Sequence, residues 1–189
     1  MTTFYANLTL MGPQQEKIVD YLNQQGRVAL VSPTIDAFTV VYDQGCEDQQ
    51  RETLHQLGLD LCTHFNCPVL AVMNKNDDVL WYQLFNKGGV VDEYNSTPDY
   101  DGRGRSSRPE GGDADLLCMV FGVDQEEKVE RVLRRPSNSE RYLSAETRHW
   151  DLMRSLKLPL FAVGMGFTYI SQGDIPEGLN VKDIIKTGE

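Results

Sequence analysis

Residues 68–100 read PVLAVMNKNDDVLWYQLFNKGGVVDEYNSTPDY, and this stretch decides the fold. It holds three short runs rich in Val, Leu and aromatic residues, at 69–73, 79–85 and 90–94. Asn, Asp, Lys and Gly separate them, the composition of tight hairpin turns. The expectation is an antiparallel meander.

Upstream, residues 3–10 alternate. Phe4, Ala6, Leu8 and Leu10 face one way and Tyr5, Asn7 and Thr9 the other, which predicts a half-buried strand. Gly12-Pro13 ends it and opens a helix with Ile18, Tyr21 and Leu22 on its apolar face and Gly26 as its cap. Residues 27–31 and 37–42 read as strands around the Ser32-Pro33-Thr34 turn. Leu54, Leu57, Leu61 and Phe65 recur at three- and four-residue steps, predicting a helix over 47–65 that Asn66 and Pro68 stop. Strand, helix, strand, strand, helix, strand is the ferredoxin-like βαββαβ pattern, with an expected sheet order of four, one, three, two. The last two meander strands would extend the free edge of strand four, giving about six strands. Leu8, Leu22, Leu57, Leu61, Phe65 and Leu70 are expected in one core.

Downstream, residues 99–112 turn to Ser, Pro, Gly, Asp and Arg without periodicity and read as a loop. Helices are expected over 113–122, 124–135 and 144–156, then a β-like run over 160–170 and a turn-rich tail with a short amphipathic piece at 181–186. The fold class is therefore α+β: a ferredoxin-like βαββαβ sheet over 1–98 extended by a β-hairpin, with a C-terminal helical cover over 113–189 on the same core.

Composition narrows the function. The chain has 189 residues and a formal net charge of −10, which disfavours binding to phosphate backbones and so to nucleic acid. No apolar run approaches the ~20 residues a membrane span needs. MTTFYANLTLMG lacks the basic start of a signal peptide. Cys46, Cys62, Cys67 and Cys118 show no CxxC spacing and read as reduced thiols, so the expected compartment is the cytoplasm.

Chemistry-bearing motifs are sparse. Asn76, Asp77 and Asp78, with Asp92, Glu93, Asp99 and Asp101, offer oxygens that could hold Ca²⁺ or Mg²⁺. The stretch from Asn74 lacks the central glycine of an EF-hand loop, and Phe85 stands where its last glutamate would be; tight turns want the same residues. Cys62 and His64 lie two apart on a helix and point to different sides, so with Cys67 they read as core packing rather than a zinc site. GxSxG, HExxH and phosphate-loop motifs are absent, and histidines stand only at 55, 64 and 149. Gly164-Met165-Gly166 sits inside the β-like run, which points to a bulge or a close backbone approach rather than a dinucleotide fingerprint. Catalytic residues, metal and cofactor are accordingly unassigned.

The remaining candidate is a surface. A hairpin added to a finished βαββαβ unit leaves a new edge that must be covered, charged or used. Trp81, Tyr82, Asp92, Glu93 and Tyr94 are the expected partner-binding residues. The alternative is that Asp92 and Glu93 only protect the edge from aggregation.

Asp78-Val79-Leu80-Trp81-Tyr82-Gln83-Leu84, then Gly89, Val91-Asp92-Glu93-Tyr94-Asn95-Ser96 and Pro98, resembles a pattern in an uncharacterised family of bacterial cytoplasmic proteins of similar length. Gly111-Gly112-Asp113-Ala114 and Phe161-Ala162-Val163-Gly164 are similar too. The resemblance spans about half of the chain, implies a bacterial cytoplasmic protein, and carries no activity.

The expected function is a non-catalytic intracellular protein-interaction or regulatory protein, with a protein partner and room for homo-oligomers. Alternatives are a small-molecule-sensing regulatory module, or a carboxylate-based hydrolase or transferase using residues such as Asp92 and Glu93. A flat aromatic edge would favour a protein partner; a deep pocket with convergent carboxylates would favour an enzyme.

Overall fold

Short turns, each with two successive residues in the left-handed region, set the meander. Asn76 (φ 56°) and Asp77 (φ 61°) make the first, Lys87 (φ 52°) and Gly88 (φ 77°) the second. Such turns match the right-handed twist of hairpin strands, and Asn, Asp and Gly tolerate positive φ. The carboxylate-rich segment at 76–78 is thus a hairpin turn. Among the described residues no three His, Cys, Asp or Glu side chains gather as metal ligands.

The structure, a computed structural model, describes residues 3–48, 50–100, 108–137 and 142–188. In chain order its elements are β1 (Tyr5–Met11), α1 (Gln15–Gln24), β2 (Ala29–Val31), β3 (Phe38–Asp43), α2 (Arg51–Phe65), β4 (Val69–Lys75), β5 (Val79–Asn86) and β6 (Gly89–Asn95). There follow β7 (Glu110–Gly111), α3 (Ala114–Phe121), α4 (Glu126–Arg134), α5 (Ala145–Ser155), α6 (Phe167–Ser171) and β8 (Ile185–Lys186). The fold is mixed α and β. The strands form one 8-stranded sheet in the order β7-β6-β5-β4-β1-β3-β2-β8, and every pairing is antiparallel. Half of the 99–112 loop, residues 101–107, lies outside the described residues, along with its Asp101, Arg103 and Arg105. No described helix is long and apolar enough to cross a membrane.

Both faces of the sheet's central strands are buried. On one, Ile18 and Leu22 of α1 and Leu54, Leu57 and Leu61 of α2 join Leu8, Leu10, Val41, Val69 and Ala71. On the other, Leu117, Val129, Leu133, Leu152 and Met153 from the later helices join Val40, Tyr42, Leu70, Val72, Leu80 and Leu84. Strand alternation therefore sends Leu70 away from Leu61, and the single core expected from the sequence is corrected to two. Phe65 is only half-buried against the first. The half-buried reading of β1 is corrected as well. Tyr5, Asn7 and Thr9 are fully buried, because helices pack on their side too.

A third correction concerns residues 160–170, expected as a strand. They form a 3-10 turn at Leu160–Ala162, then α6. Gly164 takes φ +72°, which breaks an extended run. Polar side chains from the sheet, rather than a strand, satisfy the carbonyls. Asn7 Nδ2 donates to Ala162 O (2.6 Å) and Met165 O (2.9 Å), and Tyr42 Oη donates to Phe161 O (2.6 Å). Gly166 is the close approach expected from its motif: a Cβ there would collide with the Glu47 carboxylate. The chain makes its last pairing beyond the 3-10 turn at Val181–Asp183, where β8 joins β2.

His149 is fully buried on α5, with Nδ1 2.8 Å from Tyr5 Oη. Burial holds its pKa at about 3, against an ordinary 6.5. As pH falls through that window the unfolded chain takes up a proton that the folded chain refuses, so stability declines. His149→Gln, whose amide can either donate to or accept from Tyr5, should flatten that decline. Urea midpoints measured between about pH 4 and about pH 7 check this; equal slopes for both proteins would overturn it.

Candidate functional site

Along β5, Val79, Trp81, Gln83 and Phe85 point toward α2, and pairing brings neighbours beside each. Val79 lies opposite Lys75, Trp81 between Met73 and Asn95, and Gln83 between Ala71 and Glu93. Gly58 lets α2 sit directly on Phe85, since a Cβ there would lie 2.5 Å from the ring. The helix then carries Arg51, Glu52 and His55 over the Trp81–Gln83 part of the sheet. A cleft results, in two compartments that share Arg51, Glu52 and Trp81. One, of about 250 Å³, is lined by Met73, Lys75, Val79, Asn95, Pro98 and Tyr100 among others. The other, of about 440 Å³, extends along His55, Gln56, Gln83 and Glu93.

A polar chain runs across the cleft floor. Trp81 Nε1 donates to Glu93 Oε1 (3.1 Å), and Gln83 Nε2 donates to Glu93 Oε2 (2.7 Å). Gln83 Oε1 lies 2.8 Å from His55 Nδ1. An amide oxygen only accepts, so His55 Nδ1 carries a proton and, in the neutral ring, Nε2 keeps its lone pair. The Arg51 guanidinium lies 5.1 Å from the centre of the Trp81 ring, and Lys75 Nζ lies 5.9 Å from that of Tyr100. Among the described residues neither cation is ion-paired to a carboxylate. Tyr100 is held in place, its hydroxyl donating to Asp78 Oδ2 (3.0 Å).

The sheet divides the five residues expected to form one surface. Trp81 and Glu93 meet at the cleft. Tyr82, Asp92 and Tyr94 meet on the opposite face. There the Tyr82 and Tyr94 rings stack at 5.3 Å, Tyr82 Oη donates to Asp92 Oδ2 (2.7 Å), and Tyr94 Oη donates to Leu133 O (3.0 Å). Trp81, Tyr82 and Tyr94 are each buried. Burial raises the Asp92 pKa above the usual carboxylate range, although Tyr82 and the Asp113 N–H both donate to it. Asp92 and Glu93 thus face away from each other and do not converge as a carboxylate pair. Cys62 and Cys67 are buried in the α1–α2 core, while His64 is exposed and stacks on Tyr21 at 4.1 Å.

Sequence reasoning missed Arg51, Glu52, His55, Lys75 and Gln83. One signal was present: Gln83 interrupts the inward series Val79, Trp81, Phe85 with an amide. Arg51 and His55, four apart on α2, flank the apolar stripe on one side, which marks where the helix stops covering apolar sheet. Comparison of the chain with protein-family models, curated proteins and solved structures finds no match.

Arg51 is the group laid over Trp81, so Arg51→Ala should uncover the indole. In a Trp150→Phe background, where Trp81 is the sole tryptophan, emission should shift to the red and acrylamide quenching should rise. The lost cation–π contact should lower stability by roughly 0.5–1 kcal/mol. Unchanged emission would show that α2 itself, not Arg51, shields the ring.

Proposed function

We propose that this chain is a non-catalytic regulatory protein that senses a small molecule in the cleft between α2 and β4–β6. The observation that carries the reading is the cleft's lining: an aromatic and apolar floor ringed by charged groups, with Arg51 and Lys75 unpaired by carboxylates among the described residues. Ligand sites combine apolar walls with a few placed polar groups in this way. The separation of Asp92 from Glu93 by the sheet argues against carboxylate-pair hydrolysis. The β4-β1-β3-β2 order supports reading the N-terminal part as a ferredoxin-like βαββαβ unit extended by the β5–β6 hairpin. The four cysteines are buried free thiols, which suits a cytoplasmic setting.

The test is titration of the Trp150→Phe protein with a metabolite panel of carboxylates, phosphomonoesters, amines, zwitterions and sugars, read by Trp81 fluorescence and thermal shift. At least one class should saturate both signals and lose affinity on Arg51→Glu. A panel without any saturable change would overturn the reading.

Protein interaction at the sheet edge is a second reading, favoured by one observation. Among the described residues β7 pairs only with Tyr94 and Asn95, leaving the start of β6, with exposed Val90 (39 %) and Val91 (41 %), paired to β5 on one side and without a strand on its outer side. Unpaired edges recruit strands. Under this reading the protein self-associates in sedimentation velocity and Val91→Lys abolishes it; a monomer at every concentration would remove the self-pairing form.

A further inference from the structure

The sheet register puts a cation and a carboxylate at opposite ends of the cleft floor. Lys75 stands at one end of the floor, in the row of Val79. Glu93 stands at the other, in the row of Gln83. Trp81 occupies the row between, beneath Arg51. At ~3.4 Å per residue, the four residues from Val79 to Gln83 separate the end rows by ~14 Å, with Trp81 about midway. Arg51 and Glu52 enter from α2 above the middle. The compartment with Lys75 adds Tyr100 and Pro98 as apolar wall; the compartment with Glu93 adds His55 and Gln83.

Each end keeps unused bonding capacity. Glu93 accepts one hydrogen bond on each oxygen, from Trp81 and from Gln83, and a carboxylate oxygen has two lone pairs. In its neutral form His55 presents a second acceptor, Nε2. Lys75 at the other end, and Arg51 above the middle, retain N–H donors without a carboxylate partner among the described residues. A simple anion would satisfy Lys75 and Arg51 but meet Glu93 and Glu52. A simple cation would meet the reverse mismatch.

Resting on the small-molecule reading of this cleft, we infer that its ligand is zwitterionic: a free amino acid or short peptide with an apolar side chain. Its carboxylate lies toward Arg51 and Lys75, its ammonium toward Glu93 and His55, and its apolar part against Met73, Val79 and Tyr100. A single amino acid bridges the shorter span from Arg51 to Glu93, and a di- or tripeptide the longer one from Lys75. Both carry the same pair of ends.

The experiment is calorimetric titration of the full chain with the standard amino acids, with Ala-Phe and Ala-Ala-Phe, and with the one-ended analogues 3-phenylpropionate and phenethylamine. One or more zwitterions should bind, and loss of either end should weaken binding by about tenfold or more. Glu93→Gln should weaken any zwitterion that binds, and Lys75→Glu any peptide that binds, with folding verified by circular dichroism and an unchanged melting curve. Lys75→Glu should leave phenethylamine unweakened, a readout that general damage to the site would not give. Equal binding of a one-ended analogue, or binding of other metabolites but no zwitterion, would overturn the inference and leave the cleft reading standing. Absence of binding by every compound, here and in the metabolite panel, would overturn both.

Discussion

Burial of the central strands on both faces is the constraint that the rest of the structure meets. An antiparallel sheet can leave one face to water. Here helices cover both, so every side chain on β1 from Tyr5 to Leu10 is buried. A strand whose sequence alternates apolar and polar then puts its polar half into a core. Unpartnered, those groups would each be costly. Asn7 and, on β3, Tyr42 donate to carbonyls of the 160–165 segment, and Tyr5 pairs with His149 on α5, whereas Thr9 Oγ1 has no hydrogen-bond partner among the described residues. The polar side of the sheet determines where the C-terminal chain lies.

The same economy of hydrogen bonds joins the layers at their edges. The β4–β5 turn holds the start of α5: Ala145 N–H donates to Asp77 O (2.7 Å) and Glu146 N–H to Asp77 Oδ1 (2.9 Å). Buried Arg148 lies over the Tyr142 ring at 4.3 Å and donates to the carbonyls of Val132 and Arg135, tying α5 to the end of α4. Glu47 accepts from the Thr168 N–H and hydroxyl at the start of α6. Loops and caps that read as local features act as inter-layer fasteners.

Where α2 departs from apolar contact, the cleft begins. Leu54, Leu57 and Leu61 lie on sheet, but Arg51 and His55 on the adjoining flank meet Trp81 and Gln83 instead. Glu93 is held on the floor there by two donors from β5, Trp81 and Gln83. A preorganised polar site on paired strands loses little entropy when it binds.

By itself the sequence determined the strands of the meander, the two helices between the early strands, and the caps at Asp113 and Ser144, each fixed by local periodicity, turn residues or capping chemistry. For Gly164-Met165-Gly166 the sequence left a bulge or a close approach open, and Gly166 proves to be a close approach, to the Glu47 carboxylate and Tyr5. Tertiary structure alone decided that neither face of β1 meets water, since alternation gives two faces but not what lies on each. It also decided against a strand at 160–170, where apolar content fits either a strand or a tight turn and the sheet's own side chains supply the partners. The candidate site was half legible for a related reason. Trp81 and Glu93 stand out in the sequence, but two-residue alternation cannot show that Tyr82 and Asp92 serve the opposite core, and Arg51 and His55 reach Trp81 and Gln83 only through a helix packed across about thirty residues of intervening chain.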